Sequence, residues 1–386
     1  MSLIQWGVPM KYGFTAALSA VSLAACGPMP ETQTTSSIAT PQRAALDAAA
    51  PGLLAENDVP SLAVGWIEDG ELAWTAVYGE RAPGEAASDE TLYNIASLTK
   101  PLVAETILRL VASGKLDLDT PLATQFVDRD LTEDPRAQKI TLRDALSHRT
   151  GVPENWRDRM EGGTLRLDWE PGTRAHYSGE NYVMAARYAM MATQTRLDHL
   201  AHQQLFEPAG MDDTFFIPDD SWDGRVAMVR GKDGSLRLPD NSPQGSAADD
   251  VHTTIGDYTR FVAAAMRGDG LTPALVEARG TIYDDQTAMA CPEGIIPPDK
   301  CPRASGYGLG WMVYDSGQNR FLVHNGKDWG ERTIALFEPE KRYGLVVFTS
   351  GANGRQVIAD VLRLLIDDEP LTTLVQAEAM FEKSER

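Results

Sequence analysis

The chain has 386 residues, 43% of them hydrophobic and 23% charged, which is enough apolar material for one large core or two lobes. Its formal charge of −20 argues against nucleic acid and against anionic membrane surfaces as partners, since both repel an acidic protein. No segment repeats at a solenoid period.

The N-terminus reads as a targeting segment. Lys11 precedes an apolar run from Tyr12 to Ala25, suited in length to a signal-peptide core and too short for a membrane span. The run ends in Leu23-Ala24-Ala25-Cys26, which resembles a bacterial lipobox with Cys26 as the lipidated first residue of the mature protein. An ordinary cleaved signal with a chance cysteine is the alternative, and Met10 competes with Met1 as the start. Residues 26–42, rich in Pro, Thr and Ser, read as a flexible tether. The expected organisation is therefore a signal over 1–25, a tether over 26–42 and a folded domain over 43–386. Gly27 after the lipobox resembles an outer-membrane address, which would make the protein a periplasmic lipoprotein that meets the membrane through its anchor alone. In an oxidising compartment Cys291 and Cys301, which flank a Pro-rich loop, most simply form one disulfide. A zinc site is the rival, weakened by the absence of a neighbouring histidine pair.

A helix is predicted around 42–56, then two strands, Ser61–Ile67 and Leu72–Tyr78, around a turn at Glu68-Asp69-Gly70. Next comes Thr91-Leu92-Tyr93-Asn94-Ile95-Ala96-Ser97-Leu98-Thr99-Lys100 at the head of a helical run through Leu102, Ile107, Leu110 and Val111, closed by Gly114. Ser97 and Lys100 stand three residues apart and so share one helix face. A serine hydroxyl attacks only when a base takes its proton, and an amine serves when burial disfavours its charged form. At a helix start the serine's own N–H also points where an oxyanion would lie. Alone, the tetrapeptide fits equally a serine that merely caps the helix.

From 115 to 239 the chain is mixed, turn-rich over 151–175 and helical near 180–206. Within it, Tyr177 of Arg174-Ala175-His176-Tyr177-Ser178-Gly179 either accepts a serine proton as phenolate or is an aromatic anchor. Three late strands are predicted at Phe321–Asn325, Thr333–Phe337 and Leu345–Thr349, followed by a helix over 355–366. On the first of them His324 would orient or polarise a substrate, and Gly326 would let it approach the strand backbone, although a histidine there is also a common structural residue. Strands at both ends of the chain with helices between predict an α+β fold, with a largely helical insertion at about 115–250 forming a second lobe. There is no G-x-S-x-G elbow and no H-E-x-x-H.

The Ser97, Tyr177 and His324 segments in this order resemble those of the serine β-lactamase and penicillin-binding-protein superfamily, in the branch of class C β-lactamases, D,D-carboxypeptidases, D-amino-acid peptidases and family VIII esterases. The likeness runs from about residue 44 to 366. Gly114-Lys115-Leu116-Asp117-Leu118-Asp119-Thr120-Pro121, the Ile140–Pro153 stretch with Leu146-Ser147-His148-Arg149-Thr150-Gly151, Phe206–Thr214 and Tyr307-Gly308-Leu309-Gly310-Trp311 are similar to family segments as well. The resemblance implies a β-lactamase/transpeptidase-like fold, an antiparallel sheet flanked by helices. It implies Ser97 as nucleophile, Lys100 and Tyr177 as its activators, and the main-chain N–H groups of Ser97 and Lys327 as the oxyanion hole. It implies neither cofactor nor metal, and a small ester, amide or D-peptide as substrate.

Two departures shape the expected chemistry. The family's Tyr-x-Asn reads Tyr177-Ser178-Gly179, with Asn181 two residues beyond, and its Lys-Thr-Gly reads His324-Asn325-Gly326. Both weigh against a β-lactamase and towards an esterase or a peptidase; carboxylesterase activity is expected first, a D-peptidase second and a β-lactamase third. A non-catalytic envelope protein that binds without turnover is the alternative of another class.

Overall fold

A computed structural model describes residues 40–153, 163–240 and 242–384; the expected signal and almost all of the tether, with Cys26, lie outside the described residues. Helix α1 (Pro41–Asn57) starts on Thr40, whose Oγ1 accepts the Arg43 N–H at 3.3 Å, with Pro41 in the first turn where its missing N–H is harmless. Strands β1 (Ser61–Glu68) and β2 (Glu71–Ala82) form a hairpin that places Trp66 opposite Trp74, ring centroids 6.2 Å apart. A two-residue strand β3 (Glu85–Ala86) follows. The helices α2 (Thr99–Ala112), α3 (Gly179–Thr193) and α4 (Ile255–Arg267) come next. The chain then returns as β4 (Ala304–Tyr307), β5 (Met312–Asp315), β6 (Arg320–Lys327), β7 (Arg332–Glu338) and β8 (Tyr343–Thr349). Helices α5 (Gly354–Leu365) and α6 (Glu369–Ser384) close it.

The eight strands form one antiparallel sheet in the order β3-β2-β1-β8-β7-β6-β5-β4. The two ends of the chain therefore meet at its centre, where β1 pairs with β8, as the early and late strand predictions require. Helices α1, α5 and α6 cover one face with Leu46, Leu54, Val357, Leu362, Leu371 and Val375. The other face packs on α2, α3 and α4 through Ile107, Tyr182 and Phe261. Strand β7 is buried along its whole length, as a central strand covered on both faces must be.

Strands β4 and β5 and helix α6 were not predicted from the sequence. β4 and β5 are four residues each, and Ala304-Ser305-Gly306-Tyr307 carries no alternation. α6 follows Asp367-Asp368, and Asp368 anchors it through Asn319 Nδ2 at 2.7 Å and the Leu371 N–H at 2.9 Å, a tertiary contact no local pattern announces. Cys291 and Cys301 are joined as a disulfide with Cα atoms 5.3 Å apart, in the loop that leads to the edge strand β4.

Candidate active site

Ser97 sits in a single tight turn, Ala96–Leu98, that runs directly into α2. The turn is held in an unusual conformation: Ala96 is fully buried at a φ of +48°, which costs an L-residue energy unless its surroundings enforce it. Asn94 enforces it by accepting the Ala96 N–H on Oδ1 at 2.7 Å. From behind, Thr333 Oγ1 donates to the Ile95 carbonyl at 2.9 Å and Tyr258 Oη donates to the Leu98 carbonyl at 2.9 Å.

One turn on, Lys100 is 2% exposed. Its Nζ donates to Ser97 Oγ at 2.9 Å and to the main-chain carbonyl of Ala248 at 2.8 Å. The predicted i, i+3 contact therefore forms. The 248–251 segment is a neighbour that no local sequence pattern announces; it also receives the Ile95 N–H at Val251 O (3.0 Å) and donates the Val251 N–H to Thr99 Oγ1 (3.2 Å).

Tyr177 lies in the extended segment that enters α3, with Lys100 Nζ 4.9 Å from its ring centroid. His148 packs on the ring at 4.6 Å between centroids and His324 stands at 6.2 Å. His148, which sequence alone places only in a family-like stretch, is the residue that locates Tyr177. Its backbone is left-handed (φ +58°), its carbonyl accepts the His176 N–H at 2.8 Å, and its Nδ1 accepts the Ser178 N–H at 3.3 Å and Asn181 Nδ2 at 3.1 Å. With two donors on Nδ1 the ring is neutral and carries its proton on Nε2. Burial, then the charge of Lys100, keeps it so by lowering its pKa well below that of a free histidine.

Asn181 is consumed by this support, its Oδ1 accepting from Thr150 Oγ1 while Nδ2 serves His148. It does not stand in for the missing Tyr-x-Asn amide. At the position of that amide a Cβ on Gly179 would come 3.3 Å from the Ala248 Cβ, a close approach to the methyl of the residue whose carbonyl receives Lys100.

His324 is buried on β6, and Nδ1 lies 2.9 Å from the Asn325 carbonyl, which only accepts; the proton is on Nδ1 and Nε2 is left with a lone pair. Burial, reinforced by Lys100, lowers its pKa to about 3. Where the family carries a cationic donor, this site has a neutral acceptor. Two residues on, Gly326 is pressed against the nucleophile turn: a Cβ there would fall 2.0 Å from Thr333 Oγ1, 2.5 Å from Ile95 O and 3.4 Å from the Ala96 Cβ. The backbone of Gly326 thus lies against the turn that carries Ser97, while the Lys327 side chain points to the opposite face of the sheet, where Nζ meets Glu382. Two surface clefts, of about 540 and 470 Å³, lie elsewhere; none of Ser97, Lys100, Tyr177 or His324 lines them.

A comparison of the chain with protein families matches the Beta-lactamase family over residues 46–367. D-alanyl-D-alanine-carboxypeptidase/endopeptidase AmpH of Escherichia coli (strain K12) is 24% identical, over 79% of this chain and 85% of that protein. Esterase EstB of Burkholderia gladioli is 32% identical over 46% of this chain and 54% of that protein. Among solved structures, the octameric penicillin-binding protein homologue from Pyrococcus abyssi superposes with a TM-score of 0.68 at 22% identity, over 85% of this chain and 79% of that one, and so shares the fold. With the family matched over most of its length, the chain belongs to the Beta-lactamase family of serine hydrolases.

Proposed function

We propose that the protein is a carboxylesterase that works through an acyl-serine intermediate on Ser97. The observation that carries this reading is the 2.9 Å contact between Lys100 Nζ and Ser97 Oγ inside a pocket that buries the amine. In the proposed reaction Ser97 Oγ attacks the ester carbonyl carbon, and its proton passes to the Lys100–Tyr177 pair. The carbonyl oxygen becomes an oxyanion held by the main-chain N–H groups of Ser97 and Lys327. The alkoxide then leaves with the proton returned by Tyr177, and water repeats the sequence on the acyl-serine to release the acid.

The preference for esters rests on the two departures and their geometry. A free carboxylate on the substrate, as in a β-lactam or a D-alanyl terminus, would find the lone pair of His324 Nε2 where it needs a cation. Gly179 supplies no amide to grip an acylamino group. A D-peptidase is the second reading, favoured by the likeness to a D-alanyl-D-alanine-carboxypeptidase over most of both chains. Residues 1–25 are read as an export signal with Cys26 as a lipid anchor in the periplasm, which bears on the compartment and not on the chemistry.

The test is turnover of p-nitrophenyl acetate and butyrate by the domain from about Thr35, beside Ser97→Ala. Loss of turnover in Ser97→Ala and an acyl adduct on Ser97 by mass support the mechanism. Activity that survives the substitution rejects it, and a binding protein without turnover would form no adduct at all.

A further inference from the structure

Strand β6 alternates strictly. Leu322, His324 and Gly326 face the nucleophile side, whereas Phe321 and Val323 lie in the core beneath α1 and α5, and Lys327 follows their parity. On that far side its Nζ is 3.3 Å from Glu382 Oε1, near the end of α6. Arg332, the residue paired with Lys327 across the β6–β7 turn, brings Nε to 2.8 Å and Nη2 to 2.5 Å of the same oxygen. The remaining nitrogen of Arg332 donates to the main-chain carbonyls of Asp328 (2.6 Å) and Glu331 (2.7 Å), which fastens the turn itself. From the head of α5, Arg355 Nε stands 3.9 Å from Glu382 Oε2. Arg332 is 1% exposed and Glu382 6%, so their pair is buried and loss of either partner is costly, whereas the Lys327 side chain reaches it from a half-exposed position.

We infer that Glu382 is a positioning residue for the reaction: gathering Lys327 and Arg332 onto one carboxylate, it fixes the end of β6 from behind while the contact of Gly326 with Ile95 fixes it from the front. The inference rests on the reading that the Lys327 N–H binds the oxyanion. Donors in an oxyanion hole act only at the right distance, and a displacement of about 1 Å is enough to cost about a hundredfold. The last helix of the chain, far from Ser97 in sequence and on the other face of the sheet, is on this view part of what sets the rate.

A carboxylate that only pinned α6 to the sheet would lower stability and leave the chemistry alone, so the experiment separates the two. Glu382→Gln, Glu382→Asp and Glu369→Gln are compared with the unaltered chain on p-nitrophenyl butyrate and on the matching thionoester, whose sulfur is a poor hydrogen-bond acceptor. Glu369, which meets Lys300 at 2.7 Å at the other end of α6, is the control for helix docking. Glu382→Gln is expected to lower kcat about 10- to 100-fold with KM within twofold and to shrink the preference for the oxygen ester. Glu382→Asp should recover part of both, and Glu369→Gln neither loss. A kcat within twofold of the unaltered chain, or a loss that leaves the oxygen-to-sulfur preference unchanged, overturns the inference. Should Glu382→Gln fail to fold, Glu382→Asp alone decides by the same readouts. The rate of fluorophosphonate labelling at Ser97 separates the two levels: an unaltered chain that neither labels nor turns over sinks the functional reading and this inference together, whereas equal labelling of chain and variant sinks the inference alone.

Discussion

Two buried carboxylates stand behind this active site, and they differ in a way that explains how the site is built. Glu105 lies on α2, behind Ser97 and Lys100, fully enclosed, and accepts from Arg109 Nη1 at 2.7 Å, Arg279 Nη1 at 2.8 Å and Trp311 Nε1 at 3.4 Å. Glu382 lies behind Lys327 and collects Arg332, Lys327 and Arg355. In both, burial alone would push the carboxyl pKa up, and the adjacent arginines more than reverse it. Arg109 lies one turn along α2 itself, but Arg279 and Trp311 reach Glu105 from elsewhere in the core, so the carboxylate ties the Ser97 helix into it. The close partners of Glu382, Lys327 and Arg332, belong to one hairpin end, with Arg355 more distant at the head of α5. The Ser97 helix is held by the fold as a whole, the end of β6 by a local clamp.

The contrast predicts different failures. The largest effect is expected from Glu105→Ala, which strands two buried guanidinium groups; a loss of about 3–5 kcal/mol in unfolding free energy is expected in chemical denaturation, with kcat per folded molecule nearly unchanged. A stable variant with crippled kcat would erase the distinction. Next is Gly326→Ala, which attacks the strand from the front and should mimic the loss of its clamp. The added methyl cannot coexist with Thr333 Oγ1 and Ile95 O, so kcat should fall about a hundredfold or more while thermal stability drops by about 1–3 kcal/mol. Asn94→Ala, which leaves Ala96 without its cap, should cost about 1 kcal/mol of stability and a smaller share of kcat.

A further difference shows only in acid. His324 is held at about 3 in the folded chain against about 6.5 when free, so it is neutral in both states above pH 6.5. Its contribution to stability is present there and is lost as acid protonates the unfolded chain first, progressively between pH 6.5 and 3. The stability of the unaltered chain should fall with acid by up to about 1.4 kcal/mol more per pH unit than that of His324→Gln over this window. A parallel pair of curves would mean that His324 is not buried as described.

What the sequence disclosed follows the range of the interaction. Ser97 and Lys100 were legible because an i, i+3 contact is fixed by helix geometry, and β6 to β8 because Phe321–Val323, Thr333–Phe337 and Leu345–Thr349 are β-rich runs. Tyr177 and His324 were legible only through family resemblance, since each stands alone in its segment. Three contributors had no signal to read. The Ala248 carbonyl is a main-chain group that any residue possesses, His148 acts through a left-handed backbone and ring contacts, and Glu382 is an acidic residue on a helix whose partners are strands away in sequence.

The central pairing of β1 with β8 has a consequence for how the protein is made. Ser61 and Ser350, which join across that seam through a 2.7 Å hydroxyl contact, are separated by 289 residues. During synthesis the first hairpin must wait, with one edge open, until nearly the whole chain has emerged before the sheet can close. α6 lies beyond β8 in the chain, so the end of β6 receives its support from behind only after the strands that close the sheet have been made.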